Sequence, residues 1–199
     1  MTQILHKNLN AGRFTAVVAL DLQKAFDKVD KSIVLSKIAK LGINVAWFKS
    51  YILDRDQVVK IKDDFSVHKK TLLGVPQGSI LGPLLFSIFI NDLHTVIKHS
   101  TLILFADDNY LLISGFVNDV ALVRHNLQND LDAISNWMAE NYMKLHATKT
   151  ELLLVGTKYM LKKLDCFNVS VNGACITPKP FIQVLRNVDR FQFDMETAN

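Results

Sequence analysis

The sequence predicts an α+β domain in which helices pack on one face of an antiparallel sheet. Four apolar runs, 14–20, 101–106, 109–114 and 150–155, lack helical periodicity and are typical of buried strands. The clearest helix is 120–138, where apolar residues recur at steps of three and four. The order strand, helices, strand, strand, helix, strand is that of a split βαβ, or ferredoxin-like, fold.

Two helices and an exposed hairpin are predicted between the first and second strands. Ser32 offers an N-cap for a helix that Gly42 ends. A second amphipathic helix begins near Asn44. Residues 57–73 are mostly polar and predict a hairpin that turns at 63–64.

A loop and a buried helix complete the connection to the second strand. Residues 74–79 contain two glycines and a proline, which is typical of a loop. The apolar stretch 80–90 that follows is too short to span a membrane and predicts a buried helix continuing towards Ile97.

The C-terminal part has a weaker pattern. Asn172-Gly173 predicts a tight hairpin in which Cys175 faces Ser170 instead of Cys166, so both thiols are expected to be free. Free thiols favour a reducing compartment. Residues 186–199 show no clear periodicity.

Composition sets broad limits on function. The chain has 199 residues, a formal net charge of +4 and a pI near 9.0. This mild basic excess is compatible with a polyanionic partner but does not require one. The first residues lack an apolar signal core, so we expect an intracellular protein that is neither secreted nor embedded in a membrane.

Three aspartates follow apolar strands and form the candidate reactive centre. Asp21 closes the first strand, and Asp107 and Asp108 lie between the second and third. A right-handed crossover would make the first two strands run in the same direction, so these acids would meet at one edge of the sheet. Clustered carboxylates repel one another unless a cation is present, so they predict a divalent metal site. For the Asp-Asp pair alone, a plain hairpin turn is the simpler interpretation.

The segments around these acids resemble consecutive palm motifs of a reverse transcriptase, in the style of the non-LTR retrotransposon enzymes. The resemblance covers residues 14–155 in the family's order and spacing. The matching segments are 21–30 (DLQKAFDKVD), 74–86 (GVPQGSILGPLLF), 105–108 (FADD), 136–138 (NWM) and 144–150 (KLHATKT).

The resemblance implies RNA-directed DNA polymerisation, in which a primer 3′-OH attacks the α-phosphate of a dNTP. The partners would be an RNA template, a DNA primer and dNTP. Asp21 and Asp107 would hold two Mg²⁺ ions (or Mn²⁺), with Asp108 alongside, and the backbone carbonyl of Leu22 would complete one metal shell.

Roles for four further residues are implied by the resemblance. Phe26 would pack beneath the sugar and obstruct a ribose 2′-OH, although a core aromatic is an equally good interpretation. Gln77 and Gly78 would lie over the incoming nucleotide and template, whereas alone they indicate only a loop. Lys149 would be the proton donor or charge partner for departing pyrophosphate, or else a solvated lysine.

The sequence departs from the family pattern at several points. His146 stands where asparagine is common, and Arg186 where glycine is usual. We expect an N-terminal remnant (1–13), a palm (14–157) and a partial primer-grip-like hairpin with an irregular tail (158–199). The fingers and thumb would be truncated, with their contacts supplied by other segments.

Three functional hypotheses follow. The first is a catalytic palm. The second is a catalytically inactive retrotransposon remnant that folds and binds nucleic acid. A two-metal nuclease uses the same carboxylates but leaves Phe26 and Gln77 without a task.

Overall fold

A four-stranded antiparallel sheet organises the chain, and the computed structural model describes residues 1–179. Two-stranded hairpins make up the remaining strands. In chain order the strands are β1 (Phe14–Leu20), β2 (Asp56–Gln57), β3 (Lys60–Ile61), β4 (Asp64–Phe65), β5 (Lys69–Lys70), β6 (Thr101–Phe105), β7 (Asp108–Gly115), β8 (Glu151–Val155), β9 (Val169–Val171) and β10 (Ala174–Ile176). The main sheet has the order β6-β7-β1-β8.

Six α-helices and three short 3-10 helices connect these strands within the described residues. The α-helices are α1 (Thr2–Asn10), α2 (Lys31–Lys40), α3 (Ala46–Ile52), α4 (Gly82–Ile90), α5 (Val120–Glu140) and α6 (Lys158–Lys162). The 3-10 helices are Phe26–Lys28, Asn91–Val96 and Val117–Asp119. The α+β class and the antiparallel sheet are as the sequence predicted.

One cap differs from its prediction. Ser32 was expected to cap α2, but Asp30 does so: its carboxylate accepts hydrogen bonds from the backbone N–H groups of Ser32 and Ile33 at 2.8 and 3.0 Å. Asp and Ser are comparable N-caps, so the sequence alone did not separate the two positions. Gly42, with φ of +75°, follows the helix as expected.

The larger core lies between one face of the sheet and the helices α2, α4 and α5. Alternate residues of β1, including Phe14, Ala16 and Val18, point into it. They pack with fully buried side chains of the helices such as Phe86 and Leu131. This layer supplies most of the buried apolar surface that holds the sheet in place.

The opposite face of the sheet carries a smaller core, and here one prediction was wrong. The expectation of helices on one face fails because α1 packs on the other side, where Leu5 contacts a cluster that includes Val17, Ala19 and Leu112. Segment 1–13, expected to be only a remnant, contains this helix. Its apolar residues are few, and the sequence pattern was too short to reveal it.

Strand directions agree with the crossover argument. Strands β1 and β6 each pair antiparallel with β7, so they run in the same direction with β7 between them. Their carboxyl ends therefore lie at the same edge of the sheet, although the two strands are not neighbours. None of the helices in residues 1–179 is long and apolar enough to cross a membrane.

Both predicted hairpins are present. The 56–70 hairpin is exposed, and its inner strands β3 and β4 enclose a turn at residues 62–63, one position before the predicted one. In the other hairpin, Cys175 pairs with Ser170 as predicted, and both cysteines are free and exposed. The predicted irregular tail from Arg186 lies outside the described residues.

Candidate active site

The sheet register brings the three predicted aspartates to one edge. Leu20, the last residue of β1, pairs with Asn109 of β7. Continuing this antiparallel register by one step sets Asp21 opposite Asp108. Phe105, the last residue of β6, pairs with Asp108, the first residue of β7. The two-residue turn between these strands therefore consists of Ala106 and Asp107.

The turn that presents Asp107 contains a strained residue. Ala106 has φ of +54°, in the left-handed region that residues other than glycine rarely occupy. A two-residue hairpin loop requires a positive φ. The tight turn therefore holds Ala106 in a backbone conformation that is unfavourable for alanine. Such strain is concentrated at functional sites.

A cavity of about 360 Å³ lies at this edge. It brings together five of the predicted site residues: Asp21, Leu22, Asp107, Asp108 and Lys149. Its other lining residues were not predicted as site residues, and they are Ala19, Leu20, Asn109, Tyr110, Thr148 and Glu151.

The carboxylates in this cavity influence one another. Burial raises the pKa of Asp108, and the negative charges of Asp107 and Asp21 raise that pKa further. Burial likewise raises the pKa of Tyr110, with a contribution from Asp108. The site therefore disfavours its own negative charge, which is the condition under which a cation binds well.

Lys149 reaches the cavity through a turn attached to Asp21. The backbone N–H of His146 donates to the carbonyl oxygen of Asp21 at 2.8 Å, and Gln23 N–H donates to Lys144 at 2.9 Å. The N–H of Lys149 then donates to the carbonyl of His146 at 3.0 Å. His146 thus holds this turn through its backbone N–H and carbonyl groups. Its ring Nδ1 lies 3.0 Å from Thr148 Oγ1.

The other predicted residues form a second group that does not line the cavity. Phe26 is half-buried, and its ring centroid lies 4.9 Å from that of Phe86. Its side chain therefore packs against the large core. Its carbonyl accepts a hydrogen bond from Val75 N–H at 2.9 Å, which joins its loop to the loop of Gln77 and Gly78. Both Gln77 and Gly78 are exposed, and Gly78 has φ of +75°.

Close backbone contact between these two loops explains a glycine. Gly74 N–H donates to the carbonyl oxygen of Val29 at 2.8 Å. A Cβ atom at Gly74, where φ is +88°, would lie 2.9 Å from the carbonyl oxygen of Asp27. Any larger residue at position 74 would push the loop that carries Gln77 away from the loop after β1, which carries Phe26 and Asp27.

Two acidic residues near the site were missed by sequence reasoning. Glu151 faces Ala19 across β1 and β8 and lines the cavity. One of its oxygens accepts from Lys179 Nζ at 2.8 Å, and the other is buried and has no hydrogen-bond partner among residues 1–179. Asp27 accepts a hydrogen bond from Gln77. Strand alternation from Leu153 could have placed Glu151 on this face, but nothing in the sequence signalled the Asp27 contact.

The donor set suits a divalent cation, but the carboxylates are not already gathered around one point. Carboxylate and carbonyl oxygens are the ligands that Mg²⁺ and Mn²⁺ prefer. Across residues 1–179, however, no three His, Cys, Asp or Glu side chains are grouped closely enough to hold a metal ion as they stand. The raised pKa of Asp108 indicates that a cation would relieve the repulsion there. The donor atoms of these residues are therefore of the kind that binds a divalent cation.

Comparison with curated proteins gives relatives among Drosophila mobile elements. The chain is 32% identical over 144 residues to the probable RNA-directed DNA polymerase from transposon BS of Drosophila melanogaster, covering 67% of this chain and 16% of that protein. It is 31% identical over 169 residues to the RNA-directed DNA polymerase from mobile element jockey of the same species, covering 79% and 18%. The chain thus spans less than a fifth of the length of these relatives.

A solved structure with a similar fold is that of a C-terminally truncated apo telomerase from Candida tropicalis. The TM-score is 0.57 at 15% sequence identity, and the match covers 76% of this chain and 34% of the telomerase chain. At this identity the likeness concerns the fold alone.

The family itself is established by sequence. Residues 2–185 match the family described as reverse transcriptase (RNA-dependent DNA polymerase), whose members generally use divalent metal ions. This match spans every strand of the four-stranded sheet and all three aspartates, and it confirms the resemblance that the palm motifs indicated. The chain belongs to the reverse transcriptase family, with polymerases of Drosophila non-LTR retrotransposons among its relatives.

Proposed function

We propose that this chain is the palm of an RNA-directed DNA polymerase, which joins a dNTP to a primer 3′-OH on an RNA template. The observation that supports this most directly is the single cavity shared by Asp21, Asp107, Asp108 and Lys149. The sheet order β6-β7-β1-β8 supports a ferredoxin-like palm.

In this proposal Asp21 and Asp107 would hold two Mg²⁺ ions, Asp108 would assist them, and the backbone carbonyl of Leu22 would serve as a further ligand. Two bound ions supply activation of the attacking oxygen and charge neutralisation of the leaving one. Mn²⁺ would be an alternative, since it accepts the same oxygen ligands.

Lys149 is proposed to donate a proton to departing pyrophosphate or to balance its negative charge. The turn that carries Lys149 is hydrogen-bonded to the backbone carbonyl of Asp21, so the Lys149 backbone is held at the same end of β1 as Asp21. General acid catalysis by such a group contributes on the order of 10²–10⁴ in rate.

The second group is proposed to select the nucleotide. Phe26 would obstruct a ribose 2′-OH, and Phe26→Ala is expected to raise ribonucleotide use relative to dNTP in primer extension. The contact with Phe86 restrains the ring on one side, so its position should be well defined. Unchanged sugar selectivity in an active Phe26→Ala variant would contradict this role.

The alternative is a folded module that binds nucleic acid without turnover. The observation in its favour is that the described carboxylates are not already gathered into a metal-binding group. The two exposed free cysteines support an intracellular, reducing location for either function.

Primer extension separates these functions. The 199-residue chain is incubated with an RNA template, a labelled DNA primer, dNTPs and Mg²⁺ or Mn²⁺. Metal-dependent extension that Asp107→Asn abolishes would establish the polymerase. The matched control is Asp63→Asn, which removes one carboxylate from the exposed hairpin far along the chain. Absence of extension with either metal, together with retained nucleic-acid binding, would favour the non-catalytic module.

A further inference from the structure

A side-chain hydrogen bond joins the loop after β1 to the loop before α4. Gln77 Nε2 donates to Asp27 Oδ1 at 3.0 Å. The backbones of these loops are already paired through Val75 N–H to the Phe26 carbonyl at 2.9 Å and Gly74 N–H to the Val29 carbonyl at 2.8 Å. Beyond Val75 this backbone pairing ends, and the Asp27 side chain continues it.

The chemistry of this contact fixes which end of the Gln77 amide points where. An ionised carboxylate only accepts hydrogen bonds, so Gln77 must present its NH₂ group to Asp27. Its carbonyl oxygen and second N–H are then left for another partner. A neutral amide at position 27 could accept or donate, so it would allow either orientation.

Holding this amide matters because Gln77 is otherwise unrestrained. Its side chain is exposed, and a glutamine that samples many rotamers loses this freedom, at an entropic cost, when a ligand fixes it. The Asp27 contact meets part of that cost before a ligand arrives, which is preorganisation.

We propose that Asp27 is a positioning residue that orients the Gln77 amide towards the incoming nucleotide. The inference rests on the proposed function, because the nucleotide-facing role of Gln77 belongs to it. Asp27 immediately follows Phe26, so one short segment would carry both the sugar contact and the anchor for Gln77. Loss of the anchor would weaken nucleotide binding without disturbing the carboxylates in the cavity.

Steady-state single-nucleotide extension with varied dNTP tests this role. Asp27→Ala is expected to raise the KM for dNTP about threefold to tenfold, as loss of an exposed hydrogen bond to a charged group would, with little change in kcat. Gln77→Ala should do the same, and the double variant should be no worse than Gln77→Ala alone. Asp27→Asn should fall between Asp27→Ala and the unmodified chain.

The control is Asp63→Asn, which removes a negative charge from the exposed hairpin and should leave KM unchanged. All variants should melt within about 1–2 °C of the unmodified chain, because substitutions at exposed positions usually change stability little. Additive effects of Asp27→Ala and Gln77→Ala, or an unchanged KM in Asp27→Ala, would overturn the inference.

A second measurement does not depend on turnover. In ¹H–¹⁵N spectra, the Gln77 side-chain NH₂ signals, identified by their loss in Gln77→Ala, should shift in Asp27→Ala and not in Asp63→Asn. If the unmodified chain extends no primer, the proposed activity fails while this spectrum still decides whether Asp27 holds the amide. Unmoved Gln77 signals in Asp27→Ala would overturn the positioning role.

Discussion

The two faces of the main sheet differ in what covers them. One face packs against α2, α4 and α5 over a large core, whereas the other carries α1 over a small cluster and, beyond it, the open cavity with the aspartates. Residues of β1 alternate between these environments, with Val18 in the large core and Val17 and Ala19 in the small one. The large core and most of the residues that line the cavity thus lie on opposite sides of the same strands, so substitutions on the two faces should have separable effects.

The largest effect should come from the helix-covered face. Leu131 of α5 is fully buried in the large core. Leu131→Ala should lower the free energy of unfolding by about 3 kcal/mol, through lost burial and the cavity left behind. Urea titration followed by circular dichroism measures it. The control is Leu122→Ala, because Leu122 is 59% exposed on the same helix. This substitution should change the free energy of unfolding little.

If Leu131→Ala and Leu122→Ala had equal effects, the large core would not be the main source of stability. The division between the two faces would then fail.

A buried carboxylate should give the next largest effect. Asp130 of α5 is 1% exposed and accepts backbone hydrogen bonds from Lys98, His99 and Ser100 at 3.0, 3.1 and 2.7 Å. Asp130→Asn turns one acceptor oxygen into a donor facing an N–H group, so it should destabilise the chain by about 2 kcal/mol. Thermal melting measures it, with exposed Asp132→Asn as the matched control.

Equal melting temperatures for Asp130→Asn and Asp132→Asn would show that the three backbone contacts contribute little. That result would mean that Asp130 does not hold residues 98–100, which lead into β6, in place.

The strands of the main sheet and the edge at which the aspartates meet could be predicted from the sequence. Helical periodicity predicted α5, and apolar runs without such periodicity predicted the four strands of the main sheet. The right-handed crossover predicted that Asp21 and Asp107 lie at one edge, although β7 separates their strands. The Asn172-Gly173 register was also correct, because a two-residue turn fixes the pairing on either side.

Other features could not be predicted, because they depend on tertiary contacts. The position of α1 is set by a few apolar side chains meeting the sheet, and no local pattern specifies which face they choose. The contacts of Asp27 and Glu151 join residues distant in sequence through side-chain geometry. The roles of Lys149, Phe26, Gln77 and Gly78 rest on resemblance and stay predictions.

The small core should give a weaker response than the large one. Leu5 of α1 is 5% exposed and packs in the cluster on the cavity-bearing face. Leu5→Ala should cost about 1.5 kcal/mol, less than at Leu131, because a helix at the edge of a small cluster can shift to fill the space. Lys7→Ala on the same helix is the control, since Lys7 is exposed. A loss as large as that of Leu131→Ala would show that the two cores are equally important.

The smallest effect should have the opposite sign. The pKa of Asp108 is raised above its ordinary value of 3.8 by burial and by Asp107 and Asp21, so its ionised form is less favourable in the folded chain than in the unfolded one. The resulting penalty is absent below pH 3.8, grows as pH rises through the folded pKa and is complete above it. Without divalent cations, Asp108→Asn should therefore stabilise the chain at neutral pH by about 0.5 kcal/mol, a modest value because solvent screens this exposed side chain.

The gain from Asp108→Asn should disappear in melts below pH 3.8, where the carboxyl is protonated in both states. Addition of Mg²⁺ should raise the melting temperature of the unmodified chain more than that of Asp108→Asn, because a ligand of the folded state stabilises it in proportion to its binding. Asp63→Asn should respond to Mg²⁺ as the unmodified chain does. Destabilisation by Asp108→Asn at neutral pH in the absence of metal would contradict the repulsion among the three aspartates, and with it the argument that this edge of the sheet is built to receive a cation.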